Sequence, residues 1–229
     1  MAIAHFTKDS KPKDSYTKTE LANITDYVNG MSQREQIEYV TRHIRIGNHK
    51  VSNNTMIFNM TPALTCPTEK IGLCKHCDIC YAKKAEVMYL EIFKFRQRQE
   101  IIYDNITPFK IVEAAIKLIA RKKIPLKYFR FSESGDFKNQ NSVDKMSIIS
   151  SMLHNEGIVT YGYTARDDLN FDNLRTYAII SGSNKMYNNR FDAVDKFDPK
   201  LSPYLCAGDC SICNLCKTRG NKIIQVIKH

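Results

Sequence analysis

All eight cysteines of this 229-residue chain fall into two local groups of four. The first cysteine group is Cys66, Cys74, Cys77 and Cys80, and the second cysteine group is Cys206, Cys210, Cys213 and Cys216. Each group ends in a Cys-x-x-Cys-x-x-Cys run. Such short spacing lets three thiolates converge on one centre, whereas cysteines this close together are hard to bridge as disulfides with good geometry. The spacing therefore predicts two soft-metal sites.

The arrangement of the ligands favours iron–sulfur clusters over zinc. Structural zinc sites usually take their ligands from two separated Cys-x-x-Cys pairs, whereas the second cysteine group resembles the ferredoxin-type runs that hold a cubane cluster. In the first cysteine group, Cys66 is either the fourth ligand or a bystander. Three ligands leave one iron open for a substrate or S-adenosylmethionine, and four ligands close the cluster. The sequence leaves both alternatives open, and a two-zinc structural module is a third interpretation.

Composition indicates a protein with a real core and a basic surface. The hydrophobic fraction is 43% and the net charge is +10. A basic surface favours anionic partners such as nucleic acid, although lysine-rich charge also simply keeps proteins soluble. The basic residues that lie closest together are Lys117, Arg121, Lys122, Lys123, Lys127 and Arg130. Tyr163 and Tyr187 are aromatic candidates for stacking on bases.

The first residues of the chain and the length of its apolar stretches indicate where in the cell the protein is found. No apolar run approaches the roughly 20 residues that a membrane-spanning helix needs. The first residues are polar and lack the apolar core of a signal peptide. We therefore expect a cytoplasmic protein with no membrane contact, in which the cysteines stay reduced and act as metal ligands.

Hydrophobic periodicity predicts alternating strands and helices. Capping boxes at Thr17 and Ser32 each open an apolar-periodic run, so residues 1–47 are expected to form a short helical N-terminal region. Beyond it, strands are predicted at 55–60, 128–131, 158–163, 177–180 and 223–227. Helices are predicted from near Ala82, from Pro108 and around 143–153. This alternation is typical of a parallel α/β fold.

Polar residues follow the predicted strands at their carboxyl ends, the edge where parallel α/β proteins build their sites. In chain order these are Cys66, Glu133, Asp136, Thr164, Arg166, Ser181 and Ser183. We expect Cys74, Cys77, Cys80, Glu133 and Asp136 to face one cavity. Glu133 and Asp136 are either ammonium-binding carboxylates or turn formers. Arg166 is either an anion clamp or the partner of Asp167 and Asp168 in a surface ion pair.

Two motifs carry a resemblance to known proteins. The strand, Cys77-x-x-Cys80-Tyr81-Ala82 and the following helix resemble the opening of a radical S-adenosylmethionine enzyme. Ser132-Glu133-Ser134-Gly135-Asp136-Phe137 resembles the turn that holds the cofactor's methionine amino group. The same turn, the segment Tyr161–Arg166 and the second cysteine group together carry a second resemblance. Through them, the chain from Asn48 onward is most similar to the gene product eighty-eight family of phage and mobile-element proteins.

This resemblance implies a fold and a set of site residues. The fold would be a partial (β/α) barrel of radical-S-adenosylmethionine type over residues 48–200, followed by a C-terminal iron–sulfur segment over residues 201–229. The eight cysteines would bind two [4Fe-4S] clusters. The residues expected to bind S-adenosylmethionine are Ser132, Glu133, Asp136, Tyr163 and Ser181. The residues expected to act in catalysis are Glu133, Asp136 and Arg166.

Two functions follow from these expectations. In the first, the protein cleaves S-adenosylmethionine reductively at the first cluster and acts on nucleic acid or a peptide. The second cluster would then relay an electron from a redox partner or anchor the substrate. In the second, the protein is a non-catalytic iron–sulfur protein with both clusters closed, which binds nucleic acid or has a regulatory role.

Overall fold

The computed structural model describes residues 12, 14–48, 50–89 and 91–228. Its helices are α1 (Lys18–Gly30), α2 (Gln33–His43), α3 (Pro67–Lys70), α4 (Tyr81–Met88), α5 (Ile92–Asn105), α6 (Pro108–Arg121), α7 (Gln140–Asn155) and α8 (Leu174–Tyr177). Its strands are β1 (Arg45–Ile46), β2 (Thr55–Phe58), β3 (Tyr128–Phe131), β4 (Val159–Thr164), β5 (Ala178–Gly182), β6 (Asn189–Val194), β7 (Tyr204–Leu205) and β8 (Lys222–Ile227). A single 3₁₀ turn, Leu215–Lys217, lies between β7 and β8 in the described residues.

Within the described residues, all eight strands form one sheet in the order β1-β2-β3-β4-β5-β6-β8-β7. β1 is antiparallel to β2, and the remaining neighbours are parallel. The mixed α/β class expected from the sequence is therefore confirmed. The sheet continues into the last residues of the chain, because β8 pairs with β6 along its whole length.

Local sequence signals explain most of the helix boundaries. Both predicted capping boxes form, with Thr17 bonded to the amide of Glu20 and Ser32 bonded to the amide of Glu35. Helix α6 starts at Pro108 as expected. The one long helix predicted from Ala82 is wrong. It is two helices, because Glu91 adopts a left-handed backbone (φ 67°) that ends any helical run.

The helices pack on one face of the sheet. Residues of β2 to β5 that point to this face join one hydrophobic core with α1, α2, α5, α6 and α7. The sheet residues in that core are Met56, Phe58, Phe129, Phe131, Ala178 and Ile180. Gly162 also belongs to this face, since a Cβ there would lie 2.2 Å from the ring of Phe131. Only glycine lets the two strands pack so closely at this point.

The opposite face carries an arginine and tyrosines beside the aliphatic residues Ile57 and Ile179. Strand register places Arg130 beside Tyr161, and Tyr163 beside Ser181. Side chains alternate along a strand, so these residues share one face with Tyr128. We call this surface the tyrosine face, and it comprises Tyr128, Arg130, Tyr161, Tyr163 and Ser181. In the described part of the chain, no helix is long and apolar enough to cross a membrane.

Candidate metal centres

The loop between β2 and the first cysteine group is held by a buried glutamate on α4. The carboxylate of Glu86 is fully buried and accepts hydrogen bonds from the amides of Ala63 and Leu64, both at 2.8 Å. It also accepts from Ser134 Oγ at 2.7 Å and from Arg96 Nη1 at 2.8 Å. One side chain therefore joins the cysteine loop, the turn after β3 and helix α5.

Asp136 links three loops at the carboxyl edge of the sheet. Its Oδ2 accepts from Thr68 Oγ1 and from the amide of Ala165, both at 2.8 Å. Its Oδ1 accepts from Thr164 Oγ1 at 2.7 Å and from the amide of Phe137 at 2.8 Å. Burial raises the pKa of this carboxyl, although the four hydrogen bonds oppose the rise. The loops after β2, β3 and β4 therefore meet, as predicted, but the carboxylate is occupied by protein donors.

The turn after β3 contains the other predicted cofactor-binding residues. Ser132 adopts a left-handed backbone (φ 54°), and its buried hydroxyl has no hydrogen-bond partner among the described residues. Glu133 accepts a hydrogen bond from the side-chain amide of Asn48 and lies 3.7 Å from Arg96 Nη2. The left-handed serine is uncommon, and such outliers are often found at binding sites.

Arg166 is bound within the protein. It forms a bidentate ion pair with Asp168, with both N···O distances 2.7 Å, and Nη1 donates to the backbone oxygens of Phe137 and Lys138 at 2.7 and 3.0 Å. The ion pair with Asp168 raises the pKa of Arg166. Of the two interpretations drawn from the sequence, the structure thus contains the ion pair. An external anion would have to displace Asp168.

The first cysteine group has two kinds of members. Cys74 and Cys77 are joined by a disulfide, with their Cα atoms 5.7 Å apart, where the sequence had predicted two reduced, metal-binding thiolates. Cys66 and Cys80 are free thiols. Burial raises the pKa of Cys66 to about 11, and the nearby charge of Asp136 adds to this rise.

The second cysteine group lies against the tyrosine face. The amide of Cys210 donates to the backbone oxygen of Lys50 at 2.8 Å, and Lys217 Nζ lies 4.6 Å from the centre of the Tyr128 ring. The four thiols are free. Burial raises the pKa of Cys216 to about 11, and Cys206 and Cys210 contribute to the rise.

Arg130 lies between the two cysteine groups. Its Nη2 donates to the hydroxyl of Tyr81 at 3.2 Å, and its guanidinium carbon is 5.3 Å from the centre of the Tyr163 ring. Tyr81 directly follows Cys80 in the chain. The residue is 57% exposed, and its hydroxyl donates to the backbone oxygen of Glu133 at 2.8 Å. On the other side, burial raises the pKa values of Cys210 and Cys216, and the positive charge of Arg130 offsets part of this rise.

The chemistry of these groups fits metal–thiolate centres. No three His, Cys, Asp or Glu side chains of the described residues converge in a metal-binding arrangement. The donor set is nevertheless soft, which suits iron–sulfur clusters and zinc. On the tyrosine face, Arg130 Nε, Tyr161 Oη and Ser181 Oγ are buried and have no hydrogen-bond partner in the described structure. Cluster sulfurs accept hydrogen bonds from donors of this kind.

The predicted basic surface is divided by the fold. Lys117 and Arg121 both pair with Glu38, and Arg130 points into the tyrosine face. Lys122, Lys123 and Lys127 remain exposed. Tyr187 is buried, with its hydroxyl donating to the backbone oxygen of Arg166 at 2.7 Å, so the expectation that its ring stacks on bases was wrong.

These features define a mixed α/β protein. Its loops at one sheet edge carry the first cysteine group, and the second cysteine group lies against the tyrosine face. A model of the Gene product 88 family matches residues 27–200. The chain therefore belongs to the Gene product 88 family, as the motifs from Asn48 onward indicated. No curated protein and no solved structure matches the chain.

Sequence reasoning missed several residues that organise the site. Glu86 and Arg96 were not identified, since a charged pair on two helices has the same pattern as a solvent-exposed face. Arg130 was counted only as part of the basic stretch. The strand sequence Tyr128-Phe129-Arg130-Phe131 did contain a signal, because alternation places Arg130 opposite the two phenylalanines that fill the core.

Proposed function

We propose that this protein is a two-centre iron–sulfur protein, in which each cysteine group holds a [4Fe-4S] cluster. The carrying observation is the second cysteine group, where four free thiols stand on one short segment beside a sheet face whose buried donors lack partners among the described residues. Arg130, Tyr161 and Ser181 would hydrogen-bond to cluster sulfurs, and the thiols would supply the iron ligands. The clusters would supply one-electron chemistry when bound.

Anaerobic reconstitution tests this proposal directly. After reduction with a dithiol, the full chain should bind iron and acid-labile sulfide in equal amounts at both groups. Cys213→Ala and Cys80→Ala should each lose half of both, while Ser211→Ala, a neighbouring exposed residue, should lose neither. Stoichiometric zinc without sulfide, or full iron in the cysteine variants, would refute the iron–sulfur assignment.

A second function, reductive cleavage of S-adenosylmethionine at the first cysteine group, is favoured by Ser132. This residue combines a left-handed backbone with a buried, unpartnered hydroxyl. It stands at the end of β3, where radical S-adenosylmethionine enzymes hold the methionine end of the cofactor. In the closed, non-catalytic alternative, Cys66 completes the first cluster and leaves no iron for a ligand.

Calorimetric titration of S-adenosylmethionine into the reconstituted protein separates these two alternatives. The catalytic alternative requires binding that Ser132→Ala weakens and that Cys66→Ala leaves intact. No binding to the wild-type protein, together with loss of the first cluster in Cys66→Ala, would establish the closed alternative. Nucleic acid and a redox protein remain the predicted partners.

A further inference from the structure

Arg130 is a half-buried cation with a buried Nε atom, and the described residues provide no carboxylate paired with it. No salt bridge within 4 Å involves it in the described part of the chain, and its Nε has no hydrogen-bond partner there. Withdrawing part of a charge from water without a nearby counter-charge is unfavourable. Burial would lower the pKa of Arg130, but Tyr81, Tyr163, Tyr161 and Glu133 outweigh it and keep the guanidinium protonated. The position therefore calls for an anion.

The contacts of Arg130 extend in both directions along the tyrosine face. Through the 3.2 Å hydrogen bond to Tyr81, it reaches the residue that follows Cys80. On the other side, its guanidinium carbon lies 5.3 Å from the centre of the Tyr163 ring, which faces the second cysteine group. The 3₁₀ turn that contains Cys216, Leu215–Lys217, packs against β4, the strand that carries Tyr163. A continuous set of contacts thus runs from the first cysteine group to the second.

We propose that Arg130 is an electrostatic bridge shared by the two cysteine groups, stabilising the negative charge of the metal–thiolate centre on each side. This inference rests on the proposed function. A cluster bound by four thiolates is an anion, so the two centres together supply the counter-charge that the protein does not. Arg130 acts as a positioning residue and takes no part as a ligand. A cation beside a cluster also favours the reduced form, which carries one more electron.

The prediction is that removal of this one charge affects both centres. Reconstituted protein in the Cys213→Ala background retains only the first centre, and protein in the Cys80→Ala background retains only the second. In each background, Arg130→Gln should lower the equilibrium constant for one-electron reduction by about tenfold, a shift of about 59 mV in midpoint potential. Anaerobic redox titration, followed by electron paramagnetic resonance, measures it.

Two further variants make the result specific. Arg190→Gln removes the same charge from β6, where Arg190 is partly exposed and pairs with Asp192 at 2.8 Å, and it should leave both potentials nearly unchanged. Arg130→Lys keeps the positive charge, so both midpoint potentials should stay close to those of the wild-type protein. A shift at only one centre, or equal potentials in Arg130→Gln and wild type, would overturn the bridge.

The tyrosine variants keep the bridge testable if Arg130→Gln does not fold. Tyr81→Phe should then shift the midpoint potential of the first centre alone, and Tyr163→Phe should shift that of the second centre alone. If neither variant moves either potential, the bridge is refuted. A wild-type chain that takes up no iron in either background refutes the proposed clusters and the bridge with them, whereas loaded centres with unmoved potentials refute the bridge only.

Discussion

The two cysteine groups differ in what holds them in place. The loop of the first group is fixed by buried carboxylates: Glu86 binds the backbone before Cys66, and Asp136 binds Thr68 just after it. The second group has few such contacts. Its backbone is held mainly where the amide of Cys206 donates to Gln225 and that of Cys210 donates to Lys50, both at 2.8 Å.

This difference indicates how each loop obtains its shape. Hydrogen bonds to a buried, charged acceptor are strong and make the first loop rigid whether or not a metal is bound. In the second group, much of the order would come from the thiols and whatever they bind, because ligand binding energy at such sites is also folding energy. The first loop is therefore shaped by the protein, and the second depends more on its ligand.

The largest expected difference between the two groups concerns reduction. Because Cys74 and Cys77 form a disulfide, they cannot act as thiolate ligands until a dithiol reductant has supplied two electrons and two protons. We expect iron reconstitution without a thiol reductant to load only the second group, giving half the iron of a reduced sample. Iron and sulfide counts measure this difference.

Cys77→Ala provides the control for this experiment. It should give the half-loaded level with or without reductant, since the first group is incomplete in both cases. Full loading of the wild-type chain without reductant would show that the two groups do not differ in this way.

A second, smaller effect is expected from Glu86→Gln. Glutamine keeps the shape but places an amide donor where a carboxylate oxygen accepted, and it leaves Arg96 buried without its ion pair. Removing one partner of a buried pair costs about 3–5 kcal/mol in the free energy of unfolding. Urea denaturation of the metal-free protein measures this loss.

Glu113→Gln is the matched control on the exposed side of α6, where the change should stay within about 0.5 kcal/mol. Because the contacts of Glu86 described above are with the loop of the first cysteine group and its neighbours, hydrogen exchange of the amides around Cys213 should be unaffected below the unfolding transition. Equal stability of the two variants would contradict the view that Glu86 fixes the first loop.

How far the sequence could predict this molecule depends on the range of the interactions. Strands β2, β3, β4, β5 and β8, the capped helices and the class of fold follow from local periodicity and were predicted, whereas β6 (Asn189–Val194) was missed. The short strands β1 and β7, two residues each, carry too little pattern to be recognised. The meeting of the loops after β2, β3 and β4 was also predicted, because parallel strands share a carboxyl edge.

The partners of individual side chains were beyond sequence reasoning. Asp136 follows Gly135 in a turn motif, and only the fold shows that its oxygens accept from Thr68 and Thr164, which lie 68 and 28 residues away. Glu86 is likewise 48 residues from Ser134. Contacts of this range depend on the packing of several elements at once, so one sequence contains no periodic signal for them.

The smallest predicted effect concerns Lys217, which anchors the second cysteine group. Its ammonium is buried, donates to the backbone oxygen of Cys210 at 2.7 Å and lies over the Tyr128 ring. A hydrogen bond from a charged donor contributes about 1.5–3 kcal/mol. We expect Lys217→Met to keep the stem's packing but to lose this bond. In the metal-free protein, amides of residues 206–217 should then exchange at least about tenfold faster, the equivalent of about 1.4 kcal/mol.

Lys228→Met is the control, because its pair with Asp195 is at the surface and such pairs contribute about 0–1 kcal/mol. Hydrogen-exchange mass spectrometry measures both variants. If the first loop also exchanges faster in Lys217→Met, the two regions are not independently anchored, and the comparison drawn above fails.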